Sequence, residues 1–347
     1  MSLEFIPTRV FYEPGALDYP LGKTLVEGFQ NMGISVSHTT SHNRITGIPG
    51  NTATAAYREA KRTLVIGVRR SEKFQSCKPS AHYQLPLVTS CPGMCEYCYL
   101  ATTLGKKPYI RIYVNQEEIL ERASKLIQER IPEITTFEGA ATSDPVPVER
   151  YTGALKRAIE FFGHQPNGRF RFVTKYTDIE SLLDVKHEGH TRFRFSLNCS
   201  EVVKKYEHGT PSPEERIIAS GKVLKAEYPL GFIIAPIFRF QGWQDAYGRL
   251  MERTAEELAK RALSGWSPEQ LTLEFISHRF TAKAKANILE IFPNSSLPMK
   301  EEERKFKYGQ FGYGKYIYQA EEMKEMKEFF QEQAKAYFHS AKVEYFI

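Results

Sequence analysis

The order of apolar and polar positions divides the chain into three stretches. In the first 80 residues the pattern predicts a strand at 8–12, a helix at 21–32, a short strand at 34–37, a helix at 51–62 and a strand at 63–68. That is a small α/β lobe, residues 1–80. From Gln84 the order becomes regular. Strand-like runs at 84–89, 134–138, 170–174, 192–197, 231–237 and 271–276 are each followed by a helix-like segment. Six β/α units in series imply a parallel sheet, and right-handed crossovers curl them into an open (β/α)6 barrel, residues 81–292. Residues 293–347 form an extension with a hairpin and a closing helix. Capping boxes are expected at Asn115…Glu118 and Thr177…Glu180, and a third helix start at Ser212, Pro213 and Glu215. Ile119, Ala123, Leu126 and Ile127 recur on one helix face, as packing against a sheet requires.

Composition removes several classes. With 41% hydrophobic, 13% aromatic and 25% charged residues among 347, the chain is neither disordered nor fibrous. The longest apolar stretch, 230–238, contains Pro236 and is about half of the ~20 residues a bilayer crossing needs. Glu4, Pro7, Arg9 and Glu13 stand where a secretory signal needs an unbroken apolar run. A cytoplasmic protein with no membrane partner is therefore expected. The formal charge of +6, from 47 Lys+Arg against 41 Asp+Glu, permits a polyanionic partner without demanding one. A monomer is expected, although the sequence itself does not encode the oligomeric state.

Parallel sheets bind ligands at the carboxyl ends of their strands. The residues there are polar: Ser90 and Cys91, Ser143 and Asp144, Lys175, Ser196 and Asn198, Ser277 and His278. Solvation of strand ends accounts for any one of them, but less well for the set. Cys91, Cys95 and Cys98 form a C-x3-C-x2-C loop after the first barrel strand. Structural zinc takes four protein ligands, usually as two pairs, and no second pair follows downstream. A [4Fe–4S] cluster held by three cysteines keeps one iron open for an exogenous ligand, whereas an electron carrier would use a fourth cysteine. The ligand count favours the open iron–sulfur cluster over zinc.

This loop, followed by an aromatic residue in a six-unit barrel, resembles the radical S-adenosylmethionine superfamily. Longer stretches narrow the likeness: Cys77-Lys78-Pro79-Ser80-Ala81-His82-Tyr83-Gln84, Gly93-Met94-Cys95-Glu96-Tyr97-Cys98-Tyr99-Leu100, Leu104-Gly105-Lys106-Lys107-Pro108-Tyr109, Thr142-Ser143-Asp144, His278-Arg279-Phe280-Thr281 and Gly314-Lys315-Tyr316-Ile317-Tyr318-Gln319. Together they resemble the spore photoproduct lyase family from about residue 5 to the C-terminus. The resemblance implies a partial six-unit barrel of the radical S-adenosylmethionine type. It also implies an enzyme of endospore-forming bacteria that reverses a methylene-bridged thymine dimer in DNA with a 5′-deoxyadenosyl radical, working in the spore core or germinating cell. Implied cofactors are a [4Fe–4S] cluster on Cys91, Cys95 and Cys98 and S-adenosyl-L-methionine lined by Ser143, Lys175, Ser196, Ala235 and Tyr97. Implied partners are DNA containing the spore photoproduct and a reductant such as flavodoxin or ferredoxin. The resemblance further implies that Tyr97 and Tyr99 relay a hydrogen atom so that the cofactor is rebuilt after each turnover. On the residues alone, these tyrosines equally well pack the cluster loop.

At one place the chain departs from the resemblance. Ala141 stands where the family has the cysteine that gives a hydrogen atom to the thymine radical, and an alanine C–H bond cannot replace a weak S–H bond. Stalled turnover is the expectation, in a homologue that lost its donor or an engineered variant. The intact remainder of the motif favours the engineered variant. Cys77 and Cys199 are the other thiols, and inert burial is the ordinary role of such residues.

Between Arg304 and Tyr318 lie four basic residues, six aromatics and no acidic residue, punctuated by Gly309, Gly312 and Gly314. A hairpin is expected in which Arg304, Lys305 and Lys307 meet phosphates while Phe306 and Tyr308 wedge beside an extruded lesion. An amphipathic hairpin packed on the barrel would show the same alternation. Arg169-Phe170-Arg171-Phe172 and Arg192-Phe193-Arg194-Phe195 also alternate, which strand periodicity explains. Two further classes stay open at this point: a radical S-adenosylmethionine enzyme acting on tRNA or protein, and a non-catalytic iron–sulfur module that binds DNA.

Overall fold

A computed structural model of the chain describes residues 4–262, 271–308, 312 and 314–347. Six strands, Ala81–Gln84, Thr135–Glu138, Gly168–Thr174, Thr191–Leu197, Leu230–Ile237 and Thr272–Ser277, lie side by side in chain order, each parallel to the next. Helices follow each of them, so the expected half-barrel is the architecture. Its two edges are covered. Ser76–Cys77 adds antiparallel to the first strand, and Lys342–Phe346 adds parallel to the sixth, making eight strands.

Side-chain parity explains the barrel's two faces. Phe170, Phe172, Phe193 and Phe195 point outward, where Phe162 of helix Ala154–Gly163 stacks on Phe170 at 5.2 Å. Burying each such ring contributes about 1.5–3 kcal/mol. The intervening residues point inward. There Arg194 binds Glu138 and reaches Glu274 at 3.0 and 3.1 Å, Arg171 also binds Glu274, and the Tyr345 hydroxyl from the edge strand donates to Glu274. Gly231 makes room for this box, since a Cβ there would lie 2.9 Å from Cγ of Arg194 and 2.6 Å from Oγ1 of Thr272. Lys175 shares parity with Arg171, two layers deeper, and Ser196 with Arg194, one layer deeper, so both look into the barrel at one level nearer its mouth.

The N-terminal lobe is a second sheet in the order Ser35–His38, Arg9–Tyr12, Thr63–Gly67, Ile110–Tyr113 and Val88–Thr89. Two expectations change here. The strand expected at 84–89 is divided: Gln84 ends the first barrel strand, Val88–Thr89 joins the lobe, and Pro86, which has no amide hydrogen for a ladder, lies between. The lobe's sheet also reaches past the expected boundary at residue 80 by taking in Ile110–Tyr113.

The capping box at Ser212 forms in full, with Glu215 accepting from the Ser212 amide at 2.8 Å and returning its own amide to Ser212 Oγ at 3.3 Å. Asn115 makes no cap; its side chain is drawn to the Arg69 backbone, accepting at 2.8 Å and donating at 3.0 Å. Helix Glu180–Leu183 begins at Glu180 itself, with Ile179 as its cap residue, so Thr177 caps nothing. Helix Ala320–Tyr337 closes the C-terminus against Trp243–Arg261 through Trp243–Phe329 and Tyr247–Phe330 ring contacts at 5.0 and 5.3 Å. No helix among the described residues is long and apolar enough to cross a membrane.

Candidate active site

The cysteine loop is pinned from three directions. Ser90, with φ of 69°, turns the chain into it and forms a parallel bridge with Ser143, its amide donating to the Thr142 carbonyl at 2.8 Å. Met94–Cys95 pairs antiparallel with Glu207–His208, which sets Cys95 opposite Glu207. From the lobe, Lys61 donates to the Cys91 carbonyl at 2.9 Å. Gly93 sits in a tight place: a Cβ there would lie 3.1 Å from the Tyr176 hydroxyl and 3.2 Å from Cγ2 of Thr210, so those side chains would have to give by a few tenths of an ångström. Three thiols, one buried and two half-buried, ring this loop. Among the described residues no three His, Cys, Asp or Glu side chains converge on a single ion position. A cubane, in which each thiolate takes its own iron, is consistent with that spread, and a soft thiolate set suits iron–sulfur chemistry.

Behind the loop lies a buried charge network. Lys175 Nζ donates to Glu207 Oε1 at 2.8 Å and to the Tyr97 hydroxyl oxygen at 3.0 Å, while that hydroxyl donates to the same carboxylate. Arg216 binds the other oxygen, Oε2, at 2.6 Å and holds the Ser196 carbonyl at 3.1 Å. Burial raises the Glu207 carboxyl, but Lys175 and Arg216, with the hydrogen bonds of Lys175 and Tyr97, outweigh it and bring it down to about 2. Asp144 accepts from the Lys175 amide at 2.8 Å and from the Thr174 hydroxyl, which ties the Thr142-Ser143-Asp144 turn to the third strand. Burial lifts its carboxyl to about 6 against those hydrogen bonds. Ala235 is half-buried on the inward parity of its strand, two residues beyond Ile233, the register partner of Ser196. Ser143, Lys175, Ser196 and Ala235 thus share one end of the sheet.

At the mouth, Tyr99 is 54% exposed, yet its hydroxyl donates to the Ala141 carbonyl. Burial of that hydroxyl, then Cys98 and Cys77, raises it above the usual phenol range. Cys77 is half-buried beside Glu138, Arg194 and Arg171 of the barrel interior, and burial, with Glu138, pushes its thiol up to about 11. Cys199 is elsewhere: it is 2% exposed and lies against Tyr247 of the outer helix layer.

Residues 5–347 match the family model described as spore photoproduct lyase. The chain belongs to the spore photoproduct lyase family. It is 52% identical over 339 residues to the spore photoproduct lyase of Clostridium acetobutylicum, covering 98% of each, and 49% identical over 346 residues to that of Bacillus subtilis, covering all of each. A solved spore photoproduct lyase complexed with dinucleoside spore photoproduct is 50% identical, with a TM-score of 0.94 over 99% of each chain. Another, a double mutant with one cysteine changed to alanine and one serine to cysteine, holds AdoMet and the dinucleoside; it is 51% identical with the same TM-score and coverage. The family is one of radical S-adenosylmethionine lyases, and its cofactors are that molecule and a [4Fe–4S] cluster.

In this lyase Lys305–Tyr308 pairs antiparallel with Gly314–Ile317, and all four residues of the first strand are exposed. Phe306 lies across Gly314, and Tyr316 stacks on Phe280 at 5.2 Å, anchoring the hairpin beside the sixth barrel strand. Gly309, Phe311 and Tyr313 lie outside the described residues. Arg304 departs from expectation. It is buried beneath the hairpin, its guanidinium 3.6 Å from the Tyr318 ring centroid and donating to the His278 and Pro298 carbonyls at 3.1 and 3.0 Å, so it holds the hairpin's base and offers nothing to a phosphate. Among the strand-end residues, Asn198 and Ser277 are also internal: Asn198 donates to the Pro236 carbonyl at 2.8 Å, and Ser277 to the Ile347 carbonyl at 3.1 Å. Glu207 and Arg216 are not among the residues expected from the sequence, since their neighbours carry no motif, and Cys77, expected to be inert, is only half-buried. Parity with Lys175 and Ser196 was the available signal that Arg171 and Arg194 face inward.

Proposed function

We propose that this enzyme is a DNA repair lyase that reverses the methylene-bridged thymine dimer to two thymines. The observation that carries the reading is full-length kinship with lyases solved holding the dinucleoside lesion, at a TM-score of 0.94. Cys91, Cys95 and Cys98 hold the cluster, and Ser143, Lys175, Ser196, Ala235 and Tyr97 line S-adenosylmethionine. When bound, these cofactors supply the 5′-deoxyadenosyl radical that takes the first hydrogen atom from the lesion. The test is anaerobic: reconstituted, reduced protein with S-adenosylmethionine should convert dinucleoside spore photoproduct to the thymine dinucleoside. Cys95→Ala should lose iron, sulfide and conversion together. A variant with full iron and full conversion would remove Cys95 from the ligand set.

Cys77 is the hydrogen donor in this chain, in place of the absent thiol at 141. A donor must keep its S–H, and burial holds Cys77 as a thiol at neutral pH. Its charge state is felt at the Tyr99 hydroxyl, which reaches the Ala141 carbonyl, so the thiol and position 141 both bear on one tyrosine. The solved double mutant carries an exchange of the same kind, with cofactor and lesion both bound. The S–H hydrogen goes to the thymine radical, Tyr99 and then Tyr97 return a hydrogen atom to the sulfur, and 5′-deoxyadenosine gives one up to restore the radical. Turnover therefore runs to completion, and Ala141 needs no engineering to explain it.

DNA meets the hairpin through Lys305, Lys307, Phe306 and Tyr308. Lys307 stands directly opposite Lys315, a like-charge pair that costs stability until an anion arrives, and neither Lys305 nor Lys307 has an acidic partner among the described residues. Phe306 and Tyr308 are 47% and 72% exposed and meet edge to face at 5.2 Å; Phe306 rests on Gly314 and Tyr316, so the Tyr308 ring is the one open to stack on a base. Changing Lys305 and Lys307 to alanine should weaken DNA binding and flatten its dependence on salt by about one unit of log–log slope per lysine. An unchanged slope in a fluorescence-anisotropy titration would move the DNA surface elsewhere. The electron comes from a carrier of the flavodoxin or ferredoxin class, for which exposed Arg58 and Arg62, lining one cleft with Pro92 and Met94 of the cysteine loop, offer a positive face.

A further inference from the structure

The lobe helix Ala53–Lys61 presents two residues, four apart and therefore on one face, to the cysteine loop. Tyr57 is 1% exposed, packed with Met94 of the loop, Ile291 and the edge of Phe292, whose centroid is 5.5 Å away. Its hydroxyl is buried and has no hydrogen-bond partner among the described residues. Lys61, also 1% exposed, lies 5.3 Å above the Tyr57 ring, donates to the Cys91 carbonyl and has no carboxylate partner among the described residues. A buried hydroxyl without an acceptor and a buried ammonium without a counter-charge are both costly in a protein interior. Both costs disappear if anionic sulfur occupies the space between the helix and the loop. Burial raises the Tyr57 hydroxyl well above the usual phenol range, and the next influences on it are Cys98, Cys91 and Cys95, the three thiols of the loop.

We infer that Tyr57 donates a hydrogen bond to sulfur of the cluster held by this loop and, with the charge of Lys61, sets the potential at which that cluster accepts its electron. The inference rests on the cysteine loop being the cluster site. Hydrogen bonds to sulfur and nearby positive charge stabilise the reduced, more negative state and so raise the potential. Neither residue is among those proposed to line S-adenosylmethionine; they are positioning and tuning groups. Arg58, on the outer face of the same helix, is exposed and takes no part.

The experiment compares anaerobically reconstituted wild-type protein, Tyr57→Phe and Lys61→Gln. Iron and sulfide content comes first: a wild-type chain without a cluster would refute the parent assignment rather than this inference. With equal loading, potentiometric titration followed by electron paramagnetic resonance should show both variants shifted to more negative potential. For Tyr57→Phe the shift should lower the reduced-to-oxidised ratio at a fixed donor potential by roughly tenfold, or about 59 mV for one electron. In deuterium oxide, the reduced wild-type cluster should show coupling to an exchangeable deuteron that is lost in Tyr57→Phe and kept in Lys61→Gln. An unchanged potential together with unchanged deuteron coupling in Tyr57→Phe would overturn the inference.

Discussion

Cys77→Ala is expected to leave S-adenosylmethionine cleavage intact while the yield of normal thymine pairs collapses to a small fraction and radical-trapped by-products take their place. The proposed cofactor-binding residues do not include this side chain: the three loop cysteines, Lys175, Ser196 and Ala235 all lie outside the Ser76–Cys77 strand. What is lost is the one thiol outside the cluster loop with an electrostatic influence on Tyr99, since Cys199 is packed under Tyr247. Adding Ala141→Cys to the Cys77→Ala protein should restore clean product, because the Ala141 backbone already touches the Tyr99 hydroxyl. Cys199→Ala should change nothing in the products. Chromatography of the dinucleoside reaction decides the matter. Identical product distributions from wild type and Cys77→Ala would refute the donor assignment, and a wild-type protein that already yields by-products would point back to a chain stalled by Ala141.

Glu207→Gln should destabilise the protein by about 3 kcal/mol, toward the lower end of the cost of breaking a buried ion pair from one side. The carboxylate compensates Lys175 and Arg216 at once, and Arg216 has no other acidic partner among the described residues. Removing the charge leaves a fully buried guanidinium facing carbonyls and hydroxyls alone. Against a typical total of about 5–15 kcal/mol, such a loss is large. The same change frees Lys175 and Tyr97 from their shared anchor, so the affinity for S-adenosylmethionine should fall as well. Denaturant unfolding gives the first quantity and calorimetric titration the second. If neither moves, Glu207 is not the hub of this network. Adding Arg216→Gln should recover part of the stability, because the coupling in such a cycle belongs to the pair.

The barrel was legible because its outward face is written as a period-two run of phenylalanines and aliphatics, and because each strand is followed by an amphipathic helix. The strand at 84–89 was not, since Leu85, Leu87 and Val88 are buried whichever sheet receives them, and only the partner of Val88, Ile112 in the lobe, decides the division. The cysteine loop and the residues at the strand ends could be read locally. Glu207 could not: its partners Tyr97 and Lys175 are 110 and 32 residues away in the chain, and no local spacing encodes such a meeting. Arg304 misled for the opposite reason, for its neighbours Lys305 and Lys307 are exposed while its own side chain turns beneath them onto Tyr318.

The way the cysteine loop is braced bears on when iron can enter. Its supports come from Lys61, from the Thr142-Ser143 turn and from the Glu207–His208 strand, so the loop has its final shape only after chain from both ends of that span has emerged and docked. A nascent chain still short of residue 208 on the ribosome presents three loosely tethered thiols, open to oxidation and to the wrong metal. A cluster delivered before these supports are in place would meet an unshaped loop, and the eight-residue motif transplanted alone into another scaffold would lack the walls that brace it.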